Sequence, residues 1–224
     1  MARALTGPAA AAAYGIATGA FVAERDDWPT AIARARDEGW RRLELTAVRG
    51  RLDPLLAYLA AEPTALDGFE RVSLHAPAKT ETPPADVVAQ VEPLPFDVVL
   101  HPDVYGSEPA CARLGARAVF ENMDVTKRSG RGVDDLRPVF DAFPQTTFCL
   151  DVAHVWTNDP TLGLGHELLD AFGDRLRQLH VSGIEADGTH RPTTSADLDL
   201  YEPLLRRCRH VPWLLESELV EEDS

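Results

Sequence analysis

Residues 71–101 read RVSLHAPAKTETPPADVVAQVEPLPFDVVLH. The stretch opens on a short apolar run, RVSLH, and closes on another, DVVLH, and each run ends on a histidine, His75 and His101. Between them PADVVAQVEPL (84–94) carries Val87, Val88 and Val91 on one side, which predicts an amphipathic helix. Two near-continuous apolar strands joined by a helix form the pattern of a parallel βαβ unit.

The same unit recurs in both directions. Toward the N-terminus, GIATGAF (15–21) and RRLELTAV (41–48) predict strands, each followed by a helix, WPTAIARARDEG (28–39) and LDPLLAYLAAE (52–62). Toward the C-terminus, RAVFEN (117–122), TTFCLDVAH (146–154), RLRQLHVSG (175–183) and VPWLLESEL (211–219) predict strands, with helices over 107–115, 133–143, 161–173 and 196–208. The later runs also reach a ligand-type residue: Glu121, Asp151, His180 and Glu216. An open sheet gathers ligands only at a switch point, from a few strands. A closed ring gathers the C-terminal ends of all eight on one face. The expected fold is therefore α/β, a single (β/α)8 TIM barrel over residues 1–224. It has an Ala-rich extension at 1–13 and no sequence after strand eight for an eighth helix. Trp213 and Leu215 would meet water at that gap, so residues 2–13 or a second copy of the chain, as a homodimer, are the expected covers.

Composition narrows the function. Hydrophobic residues make up 45% and charged residues 26%, which suits a soluble globular enzyme. No apolar run reaches membrane-spanning length, and the N-terminus is too weakly hydrophobic for a signal peptide, so the expected location is cytoplasmic. The net charge of −14 disfavours a nucleic-acid partner and leaves a small-molecule substrate. Cys111, Cys149 and Cys208 are an odd set with no CxxC spacing, and reduced, buried thiols are expected.

Glu121, Asp151, His180 and Glu216 form the strongest candidate group. Three carboxylates at one mouth repel one another unless a cation neutralises them, and oxygen-rich ligation with one imidazole suits Mn²⁺, Mg²⁺ or Zn²⁺. His75 and His101, on adjacent strands, could share a second ion with Glu121. His154 is a candidate for a metal or a substrate oxygen, and His190, on the loop after strand seven, could return to the mouth. Glu44 could line the same mouth or serve in packing or hydrogen bonding. His166 and His210 fall away from this face.

The order HAP (75–77), HP (101–102), EN (121–122), LDVAH (150–154), LHVSG (179–183), DGTH (187–190) and LLES (214–217) resembles the xylose isomerase-like barrels. These group sugar and sugar-phosphate isomerases and epimerases with apurinic endonucleases. The resemblance implies one catalytic metal on Glu121, Asp151, His180 and Glu216. It also implies an acid/base pair, Glu121 and Glu216, that moves a proton beside a carbonyl through an enediol, with His154 and Arg191 orienting the substrate. In the endonuclease branch His75, His101 and Glu121 would hold a second ion, and His154 with an Asp-x-His pair a third. Here Asp187 and His190 are spaced one residue wider. The leading expectation is a metal-dependent isomerase or epimerase. The alternatives are an endonuclease-like phosphoesterase with two or three ions and a non-enzymatic metal-binding barrel.

Overall fold

The computed structural model describes residues 14–25, 27–47 and 52–220. Eight parallel strands close into a barrel: β1 (Gly15–Ala17), β2 (Arg42–Thr46), β3 (Arg71–His75), β4 (Asp97–Leu100), β5 (Ala118–Glu121), β6 (Thr147–Asp151), β7 (Leu176–Val181) and β10 (Trp213–Leu215), with β10 paired to β7 and β1. A two-stranded hairpin, β8 (Gly183–Ile184) and β9 (His190–Arg191), projects from the end of β7. Around the barrel lie α1 (Trp28–Asp37), α2 (Leu52–Ala61), α3 (Pro84–Val91), α4 (Pro102–Tyr105), α5 (Val133–Ala142), α6 (Val152–Asn158), α7 (Gly163–Phe172) and α8 (Ser195–Arg207).

Strand alternation sorts the side chains. Outward residues such as Leu43, Leu74, Val98, Phe120, Phe148 and Leu179 join the helices in one extensive apolar core. Inward residues fill the barrel: Val99, Val119 and Cys149 form a small fully buried apolar layer. Beside it Glu44, Ser73 and Gln178 are also buried. A one-residue register shift between Phe148 and Cys149 opposite β7 sets the alternation there. Leu176 packs on the outer core, while Gln178 and His180 both turn inward. Below this layer Asp97 accepts hydrogen bonds from Arg71 at 2.7 Å and Arg177 at 2.9 Å, an ion triad across the barrel floor.

Several elements differ from the sequence reading. The helix expected over 107–115 is instead a 3₁₀ segment, Pro109–Arg117, preceded by the short α4. Prolines at Pro102 and Pro109 each start a new helical turn, and Gly115 at φ 57° breaks the segment near its end. The strand expected over 146–154 stops at Asp151, whose carboxylate accepts the His154 backbone N–H at 2.7 Å and so caps α6. The hairpin β8–β9 has no counterpart in the sequence reading.

No helix comes after β10 among the described residues. Trp213 and Leu215 are not left bare at this gap. Leu215 is buried, and Trp213 is half-buried, its ring centroid 5.3 Å from that of Tyr14. The expected cover, residues 2–13, lies outside the described residues. No described helix is long and apolar enough to cross a membrane.

Candidate metal centre

The upper inward layer of the barrel is polar. Glu121 and Asp151 are the last residues of their strands, His180 is next to last in β7, and Glu216 comes one residue after β10, its backbone N–H bonded to Val181 O at 3.0 Å. His180 Nδ1 lies 2.7 Å from Glu121 Oε1 and 3.2 Å from Glu216 Oε1. Ligand atoms of Glu121, Asp151, His180 and Glu216 all lie within 4.8 Å of one another. Two ligands on one ion, each about 2.1 Å from it, sit up to about 4.2 Å apart, so a small inward adjustment suffices.

His75 and His101 flank the other side of Glu121. Their Nε2 atoms stand 3.4 Å and 3.3 Å from Glu121 Oε2, and the three residues form a second ion-sized set. Glu121 thus faces both sets, one oxygen toward each. Buried Glu121 Oε2 and Asp151 Oδ2 accept no well-formed hydrogen bond: only the distant ring nitrogens of His75 and His101 face the first, and His154 Nδ1 stands 3.5 Å from the second. A buried acceptor without a well-placed donor is costly, and a cation would satisfy both. A third set, Glu121, Cys149 and His180, is less suited to a cation, because burial raises the pKa of the Cys149 thiol and keeps it protonated.

The electrostatics record the same crowding. Burial alone would raise the pKa of Glu121, but His180, His101 and His75 hold it well below the usual carboxylate range. Burial opposes charging of His75, yet Glu121 and Glu44 lift it to about 9. Glu216 goes the other way: burial, together with the Glu121 and Asp151 charges and against that of His180, raises it to about 8. Without a metal, protons stand in for the missing positive charge.

A second layer supports the first. Glu44 is fully buried, with its Oε1 3.0 Å from His180 Nε2. Its Oε2 accepts from Ser73 Oγ and Gln178 Nε2, both at 2.8 Å. Of the two roles open to Glu44 in the sequence, the structure shows the hydrogen-bonding one. Asn122 ties Asp151 from both sides, accepting its N–H at 2.8 Å and donating to its carbonyl at 3.0 Å. Sequence reasoning misses Gln178 although its signal is present: it lies two residues before His180 and so shares its face. Asn122 and Ser73 give no comparable signal.

The remaining candidates lie above and beside the cluster. His154 lines the cavity above it, with Nδ1 2.9 Å from Asn122 O. His190 lines it too, its ring edge-on to His154 with centroids 5.7 Å apart. Neither belongs to an ion-sized set among the described residues. Asp187 is exposed and accepts from the Thr189 N–H at 3.0 Å. Arg191 is held by Asp197 through two 2.7 Å hydrogen bonds and by Glu185 at 3.0 Å, and is not among the residues lining the cavity. The cavity measures about 570 Å³, and its wall also includes Arg25, Thr46 and Lys79.

No known family profile matches the sequence, and no curated protein is recognisably similar to it. Among solved structures the chain is similar to a sugar phosphate isomerase/epimerase from Parabacteroides distasonis. The TM-score is 0.52 and the identity 10%, over 94% of this chain and 91% of that one. A proposed member of the dihydrodipicolinate synthase family from Coccidioides immitis aligns at a TM-score of 0.42 and 15% identity, over 92% of this chain and 56% of that one. At this identity the first likeness is one of fold alone, and it agrees with the barrel expected from the strand pattern: the chain is a closed α/β barrel of eight parallel strands.

Proposed function

We propose that the protein is a divalent-metal-dependent isomerase or epimerase of a small sugar, sugar phosphate or other hydroxy-carbonyl compound. The observation that carries this reading is the convergence of Glu121, Asp151, His180 and Glu216, with poorly satisfied carboxylate oxygens, at the base of a mouth-facing cavity. Those four residues hold Mn²⁺, Zn²⁺ or Mg²⁺, which when bound polarises a substrate carbonyl and offsets the carboxylate charge. Glu216 is the most open of the four, with 16% of its side chain exposed, and it faces the cavity. It takes a proton from the carbon beside the carbonyl, breaking C–H and forming O–H, and Glu121 serves as its acid/base counterpart for the return. His154, held through Nδ1 by Asn122 O, leaves Nε2 to orient a substrate oxygen. The similarity to a sugar phosphate isomerase/epimerase supports the same chemistry by analogy of fold.

One observation favours a second reading. The set His75, His101 and Glu121 gives room for a second ion, which suits a phosphoester hydrolase. Metal analysis of protein purified without chelator, paired with deuterium uptake from D₂O into a panel of ketoses and aldoses, separates the two. One ion per chain and uptake beside the carbonyl are expected, with uptake slowed about 10²- to 10⁴-fold in Glu216→Gln. Two or three ions with phosphoester cleavage and no deuterium uptake would establish the hydrolase instead.

A further inference from the structure

Arg25 and Lys79 line the cavity and take no part in the chemistry above. Arg25 comes directly after the 3₁₀ turn Val22–Glu24 beyond β1, and Lys79 lies beyond β3. The barrel order puts these two loops one strand apart, across the mouth from β6 and its Asp151. Neither side chain forms an ion pair among the described residues. Of the described acids nearby, Glu24 is committed to Arg34 at 3.1 Å and Asp27 to the N-terminus of α1, where it accepts from Thr30 N–H at 3.1 Å, while Glu81 forms no ion pair. Two other cations near this end of the barrel are paired, Lys127 with Asp103 at 3.1 Å and Arg191 with Asp197. The loop carrying Lys79 is anchored, since buried Tyr105 donates from its hydroxyl to Pro77 O at 2.7 Å. Between the two cations the described part of the wall is small, with Ala17, Gly19, Thr46 and Ala47.

The cavity therefore has two electrostatic ends. Carboxylates crowd one side, where a substrate's anionic group would be repelled, and two uncommitted cations stand at the other. We propose that Arg25 and Lys79 form an anion subsite that holds a terminal phosphate or carboxylate of the substrate while its reacting carbons lie beside Glu121 and Glu216. An Arg fork and a Lys point charge are a fitting pair for such a group, and the cavity volume suits a molecule of sugar-phosphate size. The inference rests on the proposed function for what happens at the acidic end, and on the two cations alone for the anion.

The test is calorimetric titration of the Mn²⁺-loaded full chain with ribulose 5-phosphate, glucuronate and uncharged ribulose. At least one charged probe should bind about tenfold or more tighter than ribulose, since each charge-assisted contact supplies roughly that factor; which one distinguishes phosphate from carboxylate. In Arg25→Gln/Lys79→Gln the preference should fall to near one, with Mn²⁺ uptake and the thermal melt unchanged because both residues are exposed. Equal binding of charged and uncharged probes by the wild type, or an undiminished preference in the double variant, overturns the subsite. Failure of the metal reading would show separately. Mn²⁺ would not bind, yet inorganic phosphate would still bind chelator-treated wild type and not the double variant.

Discussion

His180 shows how much one side chain owes to residues far from it in sequence. Its Nδ1 faces Glu121 and Glu216, and its Nε2 faces Glu44, 136 residues away. With Nε2–H donated to Glu44, the Nδ1 lone pair is left for a cation, the arrangement by which a carboxylate orients a metal-bound histidine. Glu44→Gln is expected to weaken Mn²⁺ binding about 10- to 100-fold, read by titration with a competing chelator; unchanged affinity would reduce Glu44 to a packing residue. Glu216 gives a pH prediction. In the metal-free protein its pKa is raised to about 8, so the folded chain holds a proton that the unfolded chain releases near 4.5. A raised carboxyl pKa contributes stability that is fully present below 4.5 and is lost as pH climbs toward 8. Glu216→Gln removes that loss. In chelator its melting temperature should equal or exceed that of the wild type, with the advantage growing from pH 5 to pH 8. A large drop instead would make Glu216 a structural residue. The strand-end residues are legible in the sequence because each ends a visible apolar run. Gln178 is legible by alternation, and the partner of His180 is not, because no local pattern reports a contact through the barrel interior.

At the scale of elements, the sequence marks the strands better than the turns and helices that succeed them. LDVAH reads as one extended run, yet Asp151 turns it into a helix by accepting from His154 N–H, placing His154 on the first turn of α6 rather than in β6. The hairpin β8–β9 is hidden because each strand has only two residues. Its return brings Arg191 onto Asp197, inside a capping box in which Thr194 and Asp197 satisfy each other's backbone at the start of α8. Arg191 and Thr194 hold the Asp197 carboxyl below its usual range, against a burial effect that would raise it. Asp197→Ala removes the reciprocal cap and the Arg191 fork together and should cost about 1 to 2 kcal/mol, measured by urea unfolding. A loss within experimental error would mean that the hairpin and α8 dock independently of this contact.

For the whole molecule, barrel closure is legible because eight apolar runs recur with their ligand-type residues at one end, and that arrangement has one geometric solution. The rim is not, since Arg25 and Lys79 lie on loops without periodicity. The outer wall beside β10 sets a further expectation. Tyr14, the first described residue, already packs on Trp213, and the chain before it is long enough to continue over the same wall. Deleting residues 2–11 is expected to lower the melting temperature or shift the sedimentation coefficient toward a dimer. Identical melts and monomeric sedimentation for both chains would show that the wall needs no cover.

Halfway down the barrel, Val99, Val119, Cys149, Ser73, Gln178 and Glu44 are each no more than 1% exposed, and the Arg71–Asp97–Arg177 triad lies beneath them. Nothing the size of a substrate passes through such a filling. A molecule that reaches the acidic cluster must back out through the opening by which it came, and a product that lingers there blocks the next arrival. Under the proposed activity, accumulated product should act as a purely competitive inhibitor, raising KM with kcat unchanged in initial-rate measurements. The reaction would then slow as product builds up unless a downstream consumer keeps the doorway clear.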